Sequence, residues 1–287
     1  MFTKLSDTKM AGIFTVLVLF MALVVALLIR MLGPGVFIVW SLTPTVAALI
    51  MLLAVTREGY SKAGWKSLGL HRLGLNVWWI AFGVTFLLSL IASIIVWATP
   101  FASFVVPKAG VVSVLLNFLI TIVVLMLTNA LGEEIGMRGY LLPKLLSLGR
   151  TRALVAVGLV HAAWHMPLIF LTPLYHTAGN KLIVLPLFVG TIVAASFVFG
   201  YLRIYTGSVW PATIAHAVHN AAWNTLAMFT VASSPVIVNE YLAGDNGILI
   251  LVTTTLAAIG LGYFFRRGLN KNPRPGVVGS EVASAAN

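Results

Sequence analysis

Hydrophobic positions along this chain come in long blocks rather than alternating with polar ones, and the blocks end at charged residues. Eight stretches of twenty or more residues carry no Asp, Glu, Lys or Arg: 10–29, 31–56, 73–107, 109–132, 153–180, 182–202, 204–239 and 246–265. A helix rising 1.5 Å per residue needs about 20 apolar residues to cross a hydrocarbon layer of about 30 Å. Each stretch, trimmed at Gly, Pro and polar clusters, still holds a segment of that length. The pattern therefore predicts an all-α, polytopic membrane helix bundle of about eight transmembrane helices. Runs such as 13–29 and 111–127 show no period of two, which sets aside an outer-membrane barrel.

No repeat of 20 to 50 residues and no polar linker divides the chain, so residues 1–269 read as a single transmembrane helical domain. The first apolar run is too long for a signal-peptide core and lacks a small-residue cleavage site before Arg30 and Met31, so it is read as a span. Between the second and third spans, residues 56–75 hold Trp65, His71, Arg72 and two lysines, a composition suited to a short amphipathic helix at the membrane surface. From Asn270 onward the chain is rich in Pro, Gly, Ser and Ala. A disordered cytoplasmic tail is expected over 270–287.

Composition sharpens the membrane reading. Of 287 residues, 60% are hydrophobic and 9% charged, which is too little polar surface for a soluble or disordered chain. The absence of Cys removes disulfides, thiolate nucleophiles and Cys-ligated metals. The net charge of +11 is a matter of distribution. With the N-terminus cytoplasmic, fourteen of the eighteen Lys and Arg residues fall in inner segments. They are Lys4, Lys9, Arg57, Lys62, Lys66, Arg72, Lys144, Arg150, Arg152, Arg203, Arg266, Arg267, Lys271 and Arg274. Outer segments hold only Arg30, Lys108 and Lys181, as the positive-inside rule expects. Both termini are thus expected in the cytoplasm of a multi-pass cell-membrane protein. The basic excess records orientation and contact with the lipid bilayer, and no nucleic-acid partner is expected.

Ionisable side chains at membrane depth are expensive and call for a functional explanation. Asp7, Glu58, Glu240, Asp245 and Glu281 fall in loops or termini, which leaves Glu133 and Glu134 as the carboxylates set against hydrophobic spans. Neighbouring helix positions diverge by about 100°, so the two carboxylates face different ways. Glu134 and Arg138, at i and i+4, can pair, leaving Glu133 free for other work. A second cluster, His161 and His165, shares one face of the apolar segment 153–171. A third, His216, His219 and Asn220, lines one sector of 211–229. Helix bundles build sites from side chains on facing helices, so convergence of the three clusters is expected. Each also has a plainer reading as ion pair or packing residue. Trp78, Trp79, Phe118, Phe197 and Phe199 are read as interface anchors and packing.

The order Glu133-Glu134-x-x-x-Arg138, then His165, then His216-x-x-x-Asn220 resembles the CAAX-protease and bacteriocin-processing family of intramembrane glutamic endopeptidases. The motifs occupy 133–220, within a protease-like core of about 111–231. The resemblance implies hydrolysis of peptide bonds in a membrane-associated peptide or protein substrate. It casts Glu133 as the base that activates water and His165 as its partner. Glu134 and Arg138 organise the site, and His216 and Asn220 stabilise the oxyanion. His161 stands where the family usually has an aromatic residue, so it and His219 are possible accessory residues.

Two alternatives stay open. A metal could be held by Glu133, His161, His165 and His216, although the chain has no H-E-x-x-H run and no cofactor is expected. The same Glu and His residues would also serve a non-enzymatic immunity or adaptor protein, or a proton-coupled transporter. No internal repeat of the kind common in transporters is visible.

Overall fold

The computed structural model of the protein describes residues 5–271, with side chains as far as Phe265. The expected tail at 270–287 and its predicted disorder lie almost wholly outside the described residues.

The chain is a bundle of helices. Helix α1 (Asp7–Leu32) starts at a Ser6 cap whose hydroxyl accepts from the Lys9 amide, and it ends where Gly33 takes φ +91°. Helix α2 (Phe37–Ile50) runs on as a π-helical turn to Val55. The short α3 (Lys62–Ser67) lies in the connection predicted to carry an interfacial helix. Next come α4 (Trp78–Trp97), α5 (Val111–Leu127), α6 (Asn129–Glu134), a π-helical stretch over Ile135–Leu141, and α7 (Leu142–Leu145). The remaining helices are α8 (Arg150–Leu171), α9 (Lys181–Thr206), α10 (Trp210–Ala227) and α11 (Ile248–Lys271). The only sheet among the described residues pairs two short strands, β1 (Ala102–Phe104) and β2 (Thr230–Ala232), antiparallel.

Among the described residues, seven helical segments are long and apolar enough to cross a membrane, including α5 through Leu148 as one 38-residue span. Eight were expected. The eighth, α10, is present as a helix, but His216, His219, Asn220 and Asn224 make it too polar to qualify by itself. Its neighbours α4, α5, α6 and α9 surround it instead. A helix this polar survives at membrane depth when other helices shield it from lipid.

Successive helix ends fall on two opposite faces of the bundle. On one face, rich in Lys and Arg, Lys144 Nζ reaches Glu58 Oε1 at 2.9 Å and Asp7 Oδ1 at 3.5 Å. There Arg203 Nη2 donates to the Ser67 carbonyl at 2.7 Å, and Trp210 Nε1 to the Leu70 carbonyl at 3.1 Å. These bonds pin the 57–77 connection flat across the ends of α9 and α10. On the opposite face, the two strands pair, Trp97 Nε1 donates to Thr230 Oγ1 at 2.9 Å, and His176 Nδ1 meets Glu240 Oε2 at 2.7 Å.

The site is positioned by close packing of α2 on α6. A Cβ on Gly132 would come within 2.6 Å of the Ser41 carbonyl oxygen, and one on Gly136 within 2.5 Å of that of Pro44. Only glycine permits this approach, the small-residue packing that membrane helices use. It is stitched by Thr45 Oγ1 donating to the Gly132 carbonyl at 2.6 Å and Asn129 Nδ2 to Ser41 Oγ at 2.9 Å.

Candidate active site

Glu133 and Glu134 are the last two residues of α6, and the helix widens into its π-helical stretch at Ile135. An extra residue in a helical turn re-aims the side chains around it, and such bulges recur at functional sites. Here both carboxylates turn inward and are buried, in the company of Arg138.

Glu134 Oε1 accepts from Arg138 Nη1 at 2.8 Å and is also 2.9 Å from His216 Nδ1 on α10. The expected i, i+4 pair is therefore present, and it extends to the third cluster. Arg138 lies over the Phe199 ring, 5.2 Å from its centroid, and Phe199 stacks on His216 at 5.5 Å. Phe199, a packing residue by its place on the apolar α9, is a wall of the site.

Glu133 is not free. Its Oε2 is 3.0 Å from His161 Nε2 and 3.8 Å from His216 Nε2. The expected partner, His165, stands one turn further along α8, where its Nδ1 bonds the His161 carbonyl oxygen at 3.0 Å. The geometry thus puts His161, at the place of the usual aromatic residue, in direct contact with Glu133. Trp164 braces α8 from behind, donating to Thr43 Oγ1 at 2.9 Å and packing on Trp40.

The partners assign the imidazole tautomers. Arg138 Nη1 lies 3.3 Å from His161 Nδ1, and a guanidinium has no lone pair to offer, so Nδ1 accepts. In neutral His161 the proton is then on Nε2, pointing at Glu133. The carbonyl that faces His165 Nδ1 can only accept, so neutral His165 is protonated there and presents a bare Nε2. By the same reasoning His216 donates from Nδ1 to the Glu134 carboxylate.

These groups border a cavity of ≈ 250 Å³ lined by Glu133, His161, His165, His216, His219 and Asn220, with apolar wall from Leu125, Leu168 and Ile192. All the sequence-predicted residues therefore converge except Glu134, which lies behind Arg138 and His216. Five buried polar atoms of the lining, Trp40 Nε1, Arg138 Nε and Nη2, Thr191 Oγ1 and Asn246 Oδ1, have no hydrogen-bond partner.

The far wall was not legible in the sequence. Asp245, assigned to a loop, is buried and lines the cavity with Tyr175 and Asn246. Tyr175 Oη donates to Asp245 Oδ2, and Asn246 Nδ2 donates to Tyr175 Oη at 2.8 Å. Burial, reinforced by the adjacent carboxylate, holds the Tyr175 hydroxyl well above its ordinary range, so it stays a donor. A loop between spans carries no hydrophobic pattern to report its burial. The one available signal was the Tyr-His and Asp-Asn pairs, each at the end of an apolar stretch.

Glu133, His161 and His165 each offer an atom within 4.8 Å of the others, close enough to hold a metal ion. The fit is poor at His161. Coordination through Nε2 would move its proton to Nδ1, where it would face the Arg138 N–H.

Residues 115–222 match the family described as type II CAAX prenyl endopeptidase Rce1-like. The resemblance read from the motifs thus extends over the helices that build the site. The Rce1-like stretch begins within α5 and ends within α10, just past Asn220, and it contains Glu133, Glu134, Arg138, His161, His165, His216 and Asn220. It leaves out Tyr175's partners Asp245 and Asn246. No curated protein matches the chain. The Rce1-like match supports a CAAX-protease type of peptidase in a multi-pass membrane protein.

Proposed function

We propose that the protein is an intramembrane glutamic endopeptidase in which Glu133 activates water against a peptide bond of a membrane-associated or hydrophobic substrate. The observation that carries this reading is the polarisation of Glu133 by a donor of fixed tautomer, His161 Nε2–H at 3.0 Å, at the edge of a cavity bordered by apolar helices. A carboxylate held by one donor keeps its remaining lone pairs for water.

Water between Glu133 and the scissile carbonyl carbon loses its proton to Glu133 as its oxygen attacks. Asn220, and His216 when doubly protonated, donate to the oxygen that becomes negative. The C–N bond then breaks as the proton passes to the leaving amine, with the bare Nε2 of His165 as relay, and Glu133 is restored. Arg138 and Glu134 act as positioning residues, fixing His161 and His216. The donor-free Asn246 Oδ1 and the unpartnered Trp40 Nε1 suit an extended peptide, whose backbone offers both an N–H and a carbonyl. The reaction needs no cofactor in this reading.

Membranes from cells carrying the wild-type protein and Glu133→Gln provide the test. Peptide products present with the first and missing with the second support the proposal, and identical products refute it. Substrate flux in proteoliposomes, lost with Glu133→Gln and unaccompanied by peptide products, would instead support a proton-coupled transporter.

A further inference from the structure

The cavity is closed toward the basic face of the bundle. Below Glu133, Arg203 Nε caps the Arg138 carbonyl at 3.1 Å, and Tyr140, Leu141 and Leu142 are buried beneath the 57–77 connection. Gly139 and Gly69 give this plug its density. A Cβ on Gly139 would sit 3.1 Å from the Leu68 carbonyl oxygen, and one on Gly69 2.8 Å from that of Gly207.

Toward the other face the lining changes character. Of all the residues that border the cavity, two are exposed, Leu174 and Asn224. Leu174 lies in the loop after α8. Asn224 lies in the last turn of α10, about 12 Å along the helix from His216 at 1.5 Å per residue. Tyr175, which follows Leu174, and its partners Asp245 and Asn246 line the wall there. Loops on this face carry few basic residues, Lys108 and Lys181, against the concentration on the other face that includes Arg57, Lys62, Lys66, Arg72 and Lys144. The positive-inside rule places the basic face in the cytoplasm.

From the exposed lining and the charge asymmetry together, we infer that the cavity opens at the non-cytoplasmic face. The substrate is then a hydrophobic peptide segment presented from that side, and not the cytoplasmic C-terminal tail of a lipidated protein. This rests on the endopeptidase reading for the word substrate, while the direction of opening rests on the exposed lining and the charge distribution. The wall on this side is acidic at Asp245, so a free C-terminal carboxylate meets like charge there, whereas the amides of an internal segment meet acceptors in Asp245 and Asn246.

The chain has no native cysteine, so single substitutions can be labelled without background. Leu174→Cys and Asn224→Cys report the mouth, with Lys66→Cys and Thr177→Cys as markers of the two faces. Each full-length variant is treated with a membrane-impermeant maleimide in sealed right-side-out and inside-out vesicles. The inference expects Leu174→Cys, Asn224→Cys and Thr177→Cys to react in right-side-out vesicles, and Lys66→Cys only in inside-out ones. Reaction of the mouth variants only in inside-out vesicles overturns it. So does reaction only after detergent, which would mean a mouth sealed by lipid. Failure of the endopeptidase reading has a separate signature, unchanged peptide products with Glu133→Gln, and it leaves the labelling pattern intact.

Discussion

Arg138 presents Nη1 to Nδ1 of His161 across 3.3 Å, and this contact decides which nitrogen of His161 faces Glu133 with a proton. The same Nη1 holds Glu134 at 2.8 Å. One guanidinium therefore orients the two carboxylate–histidine contacts of the site, His161 with Glu133 and His216 with Glu134.

His161→Phe restores the aromatic residue usual at this place and removes the donor to Glu133. Misplacement of a reacting group by an ångström costs about 100-fold in rate. We expect kcat to fall by that order with KM little changed, as measured on any peptide cleaved by the wild type. An unchanged kcat would make His161 a packing residue.

The Glu134–Arg138 pair is fully buried, so breaking it strands a charge. Arg138→Ala should cost about 3–5 kcal/mol of stability, whereas replacing both partners by Met should cost far less. Thermal unfolding in detergent checks the contrast. The double variant is expected to be folded and inactive, because His161 and His216 lose the groups that orient them.

Gly136→Ala drives a methyl group against Pro44. With 2.5 Å to the backbone oxygen, α2 or α6 must shift, at a cost of about 1–3 kcal/mol. Lower thermal stability together with reduced cleavage is expected, since Glu133 sits on the displaced helix. Gly12, which has open space around a Cβ, is the control, and Gly12→Ala should leave both unchanged.

Tyr175→Phe leaves Asp245 without its hydroxyl donor. An unsatisfied buried acceptor costs about 1–3 kcal/mol. The loop after α8 should then open more readily, measurable as faster hydrogen exchange over 172–180, while exchange in α6 stays as it was.

A chelator tests the metal alternative. Because His161 Nδ1 takes an N–H from Arg138, cleavage is expected to persist in 1,10-phenanthroline or EDTA. Loss of activity that added zinc restores would assign Glu133, His161 and His165 as ligands.

The hydrophobic blocks by themselves determined the helical membrane fold, because the cost of bare backbone and charge in hydrocarbon leaves its mark on every span. They also gave away Glu133, Glu134 and Arg138, whose charge is conspicuous against apolar neighbours. The i, i+4 spacing of Glu134 and Arg138 was enough to predict their pair, since both lie on one helix. Tertiary structure decided everything that depends on distance between helices. It set His161 rather than His165 against Glu133, made Phe199 a wall of the site, and buried Asp245 in its far wall. Helical periodicity says which residues share a face, but not the height and rotation at which α6, α8 and α10 meet. Those were fixed by contacts such as Gly132 on Ser41 and Gly136 on Pro44, where the absence of a side chain, not its chemistry, lets the helices approach.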